Sequence, residues 1–397
     1  MISEHTKNVL AATLPAVEGA LPDIARTFYG RLFAAHPTLL QDLFNRSNQK
    51  TEDQPRVLAG SIALFAHLQL DPDAARRSFL INRIAHKHAS LGVTADQYAI
   101  VHEHLFAAIV EILGEAVTPE VAEAWDELYW EMANLLIGEE SALYSAAGVA
   151  PGDVWRTVVV QQRRQLSPDA VSFTLVATGG QDLPSFRPGQ YISVQVPLDD
   201  GANQIRQYSL TGPTGIDEWR IGVKRDGEVS TYLHERVFEG DTLRVSTPFG
   251  DLALPDDDAP LVLASAGIGC TPVIGLLNHL VEKADSRSIQ VLHADRSRSR
   301  QPHRGELAEL VAALPDATLR QWYEHGVDTG AADAVRIGRM DLSDITIDPR
   351  AHVMVCGPAG FLGAVREDLH GLGVAEDRIH YETFGPELLR LGAAGTD

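Results

Sequence analysis

The stretch Ala146-Ala147-Gly148-Val149-Ala150-Pro151-Gly152-Asp153 separates two parts of the sequence that differ in hydrophobic period. Small residues, glycine and proline are typical of a linker or domain boundary. Before it, apolar residues recur at helical spacing, as in Val121–Leu136. After it the period becomes two, as in Val171–Leu175. The sequence therefore predicts an all-α domain over residues 1–147, followed by a β-domain.

A second boundary lies at the acidic run Asp256-Asp257-Asp258. The continuously apolar Leu261-Val262-Leu263-Ala264 follows, as expected of a strand that is covered on both faces. Further strand-like runs at 289–292 and 352–355 alternate with helical segments, which is typical of a parallel α/β sheet. We therefore expect an antiparallel Greek-key β-barrel over residues 152–257 and an α/β nucleotide-binding domain over residues 258–397.

Composition restricts the classes of partner. The 397 residues carry a formal net charge of −21, which repels nucleic acid and anionic membranes, so we expect neither as a partner. The two cysteines, Cys270 and Cys356, are too few for a disulfide framework or a four-cysteine iron–sulfur cluster. The sequence shows no signal peptide and no apolar run of membrane-spanning length. We expect a cytoplasmic protein without a membrane anchor.

Three segments of the helical region stand out by their residue types. In chain order they are Phe28-Tyr29-Gly30-Arg31-Leu32-Phe33, Leu43-Phe44-Asn45-Arg46-Ser47-Asn48-Gln49 and Ile84-Ala85-His86-Lys87-His88-Ala89-Ser90. Together they resemble the globin domain of bacterial flavohaemoglobins along its whole length. The resemblance implies a haem-binding globin fold for this part of the chain.

The resemblance also implies the residues on the oxygen side of the haem. Tyr29 would stabilise the oxygen ligand, Gln54 and Leu58 would line the same side, and Phe44 would pack against the porphyrin. Pro55 directly follows Gln54. Because proline is tolerated only in the first turn of a helix, a helix is expected to begin just before it.

On the opposite side the resemblance implies His88 as the axial iron ligand, with Lys87 near the haem edge. Neutral imidazole suits this role, and its second nitrogen needs an acceptor that fixes the tautomer. The resemblance assigns that relay to Tyr98 and Glu140, which would make the imidazole more anionic and favour oxygen chemistry over reversible carriage. His86 is two residues from His88, so the two cannot share one helix face.

Three motifs follow one another in the β region: Pro188-Gly189-Gln190-Tyr191, Arg206-Gln207-Tyr208-Ser209-Leu210 and Gly227-Glu228-Val229-Ser230. They resemble the flavin-binding motifs of the ferredoxin–NADP reductase superfamily. The resemblance implies an FAD site with Arg206 near the pyrophosphate, Tyr208 packed on the isoalloxazine, and Ser209 near its reactive nitrogen. Gln207 would also be an FAD-binding residue. Tyr191 would lie beside the flavin.

The third of these motifs is the superfamily's second phosphate loop. Gly227 permits close backbone approach, and Ser230 with the amides at Val229 and its neighbours would donate to phosphate.

A nicotinamide site is indicated by Gly267-Ile268-Gly269-Cys270-Thr271-Pro272, which follows an apolar strand and opens a helix. The tight turn and the helix N-terminus offer amides to pyrophosphate. The motif resembles the G-x-G-x-T-P form of the same superfamily, in which Cys270 occupies a variable position and is expected to be a passive thiol. Val355-Cys356-Gly357-Pro358 resembles its second nicotinamide loop, which would put Cys356 near the path of the hydride.

The segment His380-Tyr381-Glu382-Thr383-Phe384-Gly385-Pro386 resembles the C-terminal motif of flavohaemoglobins. It implies that Phe384 stacks on the flavin until nicotinamide displaces it, and that Glu382 lies between flavin and haem. Thr383 stands where many relatives have cysteine, and together with Gly385 and Pro386 it would border the nicotinamide.

The resemblance covers almost the whole chain and implies haem b, FAD and NADH or NADPH as cofactors. It implies a nitric oxide dioxygenase that converts NO and O2 to nitrate, with a haem-dependent peroxide or NO reductase side activity also compatible. O2 and NO would be the partners, with room for a hydrophobic or lipid ligand in the distal pocket, and a monomer is expected. Asp295-Arg296-Ser297-Arg298 leaves the choice of nicotinamide open, since the acid suits a ribose hydroxyl and the arginines suit a 2′-phosphate.

The sequence leaves two alternatives open. One is a flavin reductase whose globin lacks functional haem, which a missing Soret band would reveal. The other is an O2 or NO sensor, which the attached reductase module disfavours because sensors generally carry an output domain instead.

Overall fold

The computed structural model describes residues 2–42, 53–70, 74–179, 182–325 and 335–383. These residues form two compact units. One takes residues 2–155 and the segment Gln195–Ile205, and the other takes Arg156–Val194 and the described residues from Arg206 onward. The boundaries at 147, 152 and 257 that the sequence indicates stay predictions.

The first unit is built of helices, as its hydrophobic period predicts. The helices that the structure describes there are α1 (Glu4–Ala35), α2 (Pro37–Asp42), α3 (Asp53–Leu70), α4 (Ala74–Leu91), α5 (Ala95–Leu113) and α6 (Pro119–Ala146). Helix α1 packs against α3, α5 and α6, while α4 packs chiefly against α6. Their apolar faces meet in one core that includes the fully buried Leu10, Leu32 and Phe65.

Local capping explains where several of these helices begin. The Ser3 hydroxyl accepts from the Thr6 amide at 3.0 Å ahead of α1, and the Gln97 side chain accepts from the Thr94 amide at 3.0 Å at the start of α5. Helix α3 begins at Asp53, so Pro55 lies in its first turn, as the sequence predicts.

The β region forms a six-stranded sheet in the order β4-β3-β6-β1-β2-β5. Its strands are β1 (Trp155–Ser167), β2 (Ala170–Ala177), β3 (Tyr191–Pro197), β4 (Asn203–Ser209), β5 (Trp219–Lys224) and β6 (Thr242–Ser246), with helix α7 (Glu228–Arg236) between β5 and β6. Strand β2 pairs antiparallel with both β1 and β5. The alternation of apolar and polar residues in β2 predicts one buried and one exposed face. In the structure Ser172 and Thr174 are buried like the apolar residues beside them.

The C-terminal part forms a parallel sheet in the order β10-β9-β8-β7-β11-β12. Its elements are β7 (Leu261–Ala266), α8 (Cys270–Glu282), β8 (Ile289–Asp295), α9 (Arg304–Ala313), β9 (Ala317–Tyr323), β10 (Val335–Ile337), β11 (His352–Gly357), α10 (Ala359–Gly371) and β12 (Ile379–Thr383). The chain leaves β7 toward one edge and returns to β11 on its other side. This change of direction is a topological switch point, and ligands of such sheets bind there at the carboxyl ends of the strands.

Within the described part of the chain, no helix combines the length and the apolar character that crossing a bilayer requires.

Candidate functional site

His88 lies in the last turn of α4 and makes two close contacts through one ring nitrogen. Its Nδ1 is 2.8 Å from Glu140 Oε1 and 3.0 Å from the Tyr98 hydroxyl. A carboxylate only accepts hydrogen bonds, so Nδ1 carries the proton and the lone pair of the imidazole stays on Nε2. The sequence-predicted trio is therefore brought together, with Nε2 in the chemical state of a metal ligand.

Glu140 and Tyr98 form the buried side of this arrangement. The Tyr98 hydroxyl donates to Glu140 Oε1 at 2.5 Å, and the Glu140 side chain is only 3% exposed whereas that of His88 is 32% exposed. Burial, reinforced by the Glu140 charge, raises the pKa of Tyr98 well above its ordinary value. Tyr98 therefore remains a neutral donor, and the carboxylate is held away from solvent.

Two further tyrosines fix this cluster, and the sequence motifs do not single them out. The Tyr129 hydroxyl donates to the Tyr98 carbonyl at 2.7 Å, and the Tyr144 hydroxyl donates to the Val93 carbonyl at 2.6 Å. Both phenols are buried, and burial raises the pKa of each. Both lie on α6, the helix that carries Glu140, and so tie α6 to the backbone around His88. A helical spacing of aromatic residues is all that the sequence offers as a signal for them.

Tyr29 lies on α1 within the same helical core. Its ring is 4% exposed and packs edge-on against Phe28, with a centroid separation of 4.7 Å. Burial raises the pKa of the Tyr29 phenol, so it is a neutral hydrogen-bond donor at any physiological pH. Lys87 is half-buried beside His88 on α4.

The other predicted haem-pocket residues cannot be compared with the structure. Phe44 lies outside the described residues, and of Gln54 and Leu58 only the backbone of α3 is described. Their side chains stay predictions.

On the flavin side, Tyr191 begins β3 directly after a tight turn. Its amide donates to the Phe249 carbonyl at 2.7 Å, and its carbonyl accepts from the Phe249 amide at 2.9 Å. Gly189 precedes it with φ +90°, and a Cβ there would lie 2.1 Å from the Leu252 carbonyl oxygen. Only glycine fits, because both the backbone angle and the close approach exclude a side chain.

The predicted flavin-binding motif forms the end of β4 and includes Arg206, Gln207, Tyr208 and Ser209. The first three are half-buried and Ser209 is buried. The Gln207 amide donates to the Ser193 hydroxyl at 2.9 Å, which ties β4 to β3. Burial raises the pKa of the Tyr208 phenol, and the nearby Arg206 opposes this shift. The motif thus offers a cation, a neutral phenol and a hydroxyl along one strand end.

Gly227 is the N-cap of α7, and Val229 and Ser230 lie in its first turn. The first amides of a helix have no partner within it, and a helix N-terminus therefore favours a phosphate. The Ser230 hydroxyl accepts from the Asp226 amide at 2.7 Å and donates to the Gly227 carbonyl at 3.1 Å. In this arrangement Ser230 shapes the loop as well as offering an oxygen to a ligand.

Two glycine-rich turns meet at the switch point of the parallel sheet. Gly267, Ile268 and Gly269 follow β7, while Gly357 ends β11 and Pro358 follows it. A Cβ on Gly269 would lie 2.2 Å from the Cys356 carbonyl oxygen, so the two turns touch through their backbones. This contact sets the N-terminus of α8 beside the end of β11, where a dinucleotide pyrophosphate is expected.

Cys270, Thr271 and Pro272 form the first turn of α8 and are all buried. Burial raises the pKa of the Cys270 thiol, which keeps it protonated and unreactive, in keeping with the predicted passive role. The Thr271 hydroxyl donates to the Ile268 carbonyl at 2.9 Å and closes the turn.

The C-terminal motif enters the site through β12. In the parallel register Glu382 is opposite Cys356 and Thr383 is opposite Gly357. The two motifs, which are far apart in sequence, therefore lie side by side at the carboxyl end of the sheet. Phe384, Gly385 and Pro386 lie outside the described residues.

A junction inside the second unit was not apparent from the sequence. Arg220 on β5 forms an ion pair with Glu306 on α9, and His303 Nδ1 is 2.7 Å from the other Glu306 oxygen. Gly222, also on β5, leaves room for neighbours, because a Cβ there would lie 2.8 Å from Thr271 Cγ2 and 2.9 Å from His303 Nε2. The flavin-binding sheet thus packs directly against the nucleotide turn.

The residues present fit three cofactors by their chemistry. An imidazole that is protonated on Nδ1 and held by a buried carboxylate fits a haem iron. A half-buried arginine with a tyrosine on the same strand, together with the glycine-capped N-terminus of α7, fits the charge and ring of a flavin with its pyrophosphate. Gly267 lies in the turn before α8, and a Cβ there would meet no atom within 4 Å. A dinucleotide can therefore approach the backbone amides of this turn.

Comparison with known proteins gives the same three cofactor-binding regions. Residues 26–136 match the globin family, residues 157–253 match the oxidoreductase FAD-binding domain, and residues 263–367 match the oxidoreductase NAD-binding domain. A flavohemoprotein of Bordetella pertussis is 40% identical over 97% of this chain and 99% of its own length. One from Deinococcus radiodurans is 38% identical over 97% and 98% of the two chains.

Two solved structures are also similar. The crystal structure of a flavohemoglobin from Malassezia yamatoensis with bound FAD and haem superposes with a TM-score of 0.89 at 36% identity, covering 96% of this chain and 99% of that one. The FAD/NAD-binding domain of a nitric oxide dioxygenase from Vibrio cholerae has a TM-score of 0.55 at 35% identity, over 58% of this chain and 99% of that one.

Proposed function

Because this chain belongs to the flavohemoprotein family, we propose that it is a nitric oxide dioxygenase that takes its electrons from a nicotinamide through FAD and haem. Family membership and the three matched domains make it an oxidoreductase with a globin, an FAD-binding and an NAD-binding part. In the proposed reaction, two NO and two O2 react with one NAD(P)H to give two nitrate ions, NAD(P)⁺ and one proton.

The observation that carries the proposal is the hydrogen bond from His88 Nδ1 to Glu140 at 2.8 Å. Haem, which His88 would hold, would supply an iron atom that accepts single electrons and binds a diatomic gas. Glu140 makes His88 a strongly donating ligand, because a buried carboxylate draws the Nδ1 proton and leaves more negative charge on the ring. Such a ligand favours O2 activation over reversible O2 storage.

Tyr29 supplies the second part of the proposed chemistry. Burial raises the pKa of Tyr29, so its hydroxyl stays protonated and uncharged and can donate a hydrogen bond. A neutral donor in an apolar pocket stabilises partial negative charge on a ligand without adding a group that must be neutralised. We assign Gln54, Leu58 and Phe44 to the same side of the pocket from the family pattern alone.

The reductase part delivers the electrons. In our proposal Arg206 and the first amides of α7 hold the FAD pyrophosphate, Tyr208 and Tyr191 border the flavin ring, and Ser209 lies near its reactive nitrogen. The similarity to the reductase domain of a protein described as a nitric oxide dioxygenase supports this reaction for our chain.

The nicotinamide would enter between the turn at Gly267–Gly269 and the end of β11. Cys356 would then lie near the path of the hydride to the flavin, and Glu382, opposite it in the sheet register, would lie between flavin and haem. We assign Phe384 the role of a ring that covers the flavin in the absence of nicotinamide, again from the family pattern.

The test is NO consumption by the purified protein loaded with haem and FAD. We expect rapid NO loss in air that depends on NAD(P)H and yields nitrate in equal amount to the NO removed. His88→Ala should lose haem and NO consumption but keep NAD(P)H-dependent reduction of an artificial electron acceptor, because the acceptor takes electrons from the flavin.

The same experiment separates the alternatives. A normal Soret band with NO loss no faster than a flavin-only background would reject the dioxygenase and leave a gas sensor. Absence of the Soret band after expression with sufficient haem would instead indicate a flavin reductase.

A further inference from the structure

The residues that follow β8 are placed to contact the adenosine end of the nicotinamide cofactor. In a dinucleotide-binding sheet the glycine-rich turn follows one strand, and the ribose is read at the end of the adjacent strand. Here the turn follows β7, and the adjacent strand β8 ends at Asp295. The turn that begins at Arg296 is therefore the segment that meets the ribose 2′ position.

Asp295, the acid that could accept from a free 2′-hydroxyl, is directed into the protein. Its Oδ1 accepts from the Arg296 amide at 2.6 Å, and its Oδ2 is 3.8 Å from Nε2 of the fully buried His293. His293 is itself fixed from behind, since its Nδ1 is 2.9 Å from the Ser265 hydroxyl. The Asp295 side chain is only 9% exposed. The carboxylate is thus largely buried, with one hydrogen bond from the adjacent amide.

The groups that the turn does present are cationic or hydroxylic. Arg296 is exposed, and Arg298 is half-buried with its guanidinium 6.0 Å from the centre of the Tyr323 ring. The hydroxyls of Ser297 and Ser299 are 3.1 Å apart. Among the residues that the structure describes, no carboxylate forms an ion pair with Arg296 or Arg298.

Two charged residues close to the turn are already paired. Arg300 lies 3.2 Å from Asp169, and Glu324 lies 3.3 Å from Arg339. The shape of the turn is also fixed, because the Arg300 amide donates to the Ser297 carbonyl at 3.1 Å and the His325 amide donates to the Arg296 carbonyl at 2.9 Å. Within the described ranges, Arg296 and Arg298 are thus cations of a preformed turn that have no carboxylate partner.

We propose that the turn Arg296–Ser299 binds the 2′-phosphate of NADPH and makes NADPH the preferred electron donor of this chain. Forked guanidinium groups and paired hydroxyls match a phosphate dianion, whereas NADH offers this turn no group of opposite charge. The inference rests on the proposed function in that a nicotinamide is the electron source, but it does not depend on the reaction with NO.

The first test measures binding without turnover. The haem- and FAD-loaded protein is titrated calorimetrically with 2′,5′-ADP and with 5′-AMP at fixed salt, which isolates the 2′-phosphate. We expect 2′,5′-ADP to bind about 10- to 100-fold more tightly than 5′-AMP, the range for charge-assisted hydrogen bonds. Arg296→Ala and Arg298→Ala should each reduce that ratio, and Arg300→Ala is the matched control that should leave it unchanged.

The second test uses anaerobic stopped-flow reduction of the flavin by NADPH and by NADH. We expect a higher kcat/KM for NADPH, with the preference lost in the Arg296→Ala/Arg298→Ala double variant and partly kept in Arg298→Lys, which retains the charge but not the fork. Equal affinity for 2′,5′-ADP and 5′-AMP, or an NADH preference that Asp295→Ala removes, would overturn the proposal. Because neither assay contains NO, failure here is distinguishable from failure of the dioxygenase proposal.

Discussion

Replacement of Glu140 by glutamine tests the central contact of the helical unit. Glutamine keeps the shape of the side chain and an acceptor oxygen but removes the charge, while His88 and Tyr98 remain in place. Glu140 receives hydrogen bonds at 2.5 Å and 2.8 Å, and its side chain is 3% exposed, so solvent cannot compensate for the lost charge.

The expected magnitude follows from that geometry. A hydrogen bond to a charged group contributes about 1.5–3 kcal/mol. If the full interaction stabilises the oxidised iron more than the reduced iron, its loss raises the haem midpoint potential by up to about 130 mV, since about 1.4 kcal/mol corresponds to about 59 mV for one electron. The direction is upward because a carboxylate stabilises the more positive state.

The assay is spectroelectrochemical titration of the haem in the purified, fully loaded protein. The matched control is Glu139→Gln, a change of the same chemistry at the adjacent exposed position. We expect Glu140→Gln alone to raise the potential and to slow NO consumption. Equal potentials for the two variants would refute the reasoning that Glu140 acts on the iron through His88.

Three further changes have defined outcomes. Tyr29→Phe should retain haem, seen as an unchanged Soret intensity, but consume NO about tenfold or more slowly, because one donor to the ligand is lost; an unchanged rate would contradict its assigned role. Gly189→Ala should lower the melting temperature and FAD retention far more than Gly201→Ala, since both have positive φ but only Gly189 would place its Cβ 2.1 Å from a carbonyl oxygen; equal losses would attribute the effect to backbone strain alone. Burial, and then the charge of the neighbouring His352, lower the pKa of His380 below 6.5. The unfolded chain therefore binds more protons than the folded protein, and the free energy of unfolding should fall as the pH drops below about 6.5. Urea unfolding at two pH values should show this dependence weakened by His380→Asn and kept in His370→Asn, and identical slopes would exclude His380 as the cause.

The sequence determined the elements and the chemistry of the motifs. Hydrophobic periods distinguished helices from strands because each backbone repeats its faces at a fixed interval. Motifs such as the turn at Gly267–Gly269 could be recognised because their residues are neighbours in the chain. Pro55 likewise indicated a helix start, because proline lacks an amide hydrogen and is tolerated only in the first turn of a helix.

Tertiary structure alone decided which distant groups meet and which way they face. Glu140 lies 52 residues from His88, and Arg220 lies 86 residues from Glu306, so no local spacing could establish either contact. The support from Tyr129 and Tyr144 emerged only from the packing of α6. The orientation of Asp295 is the sharpest case. Its sequence position allows a role in binding ribose, but in the structure its side chain is only 9% exposed and lies toward the buried His293, whereas the adjacent Arg296 is exposed.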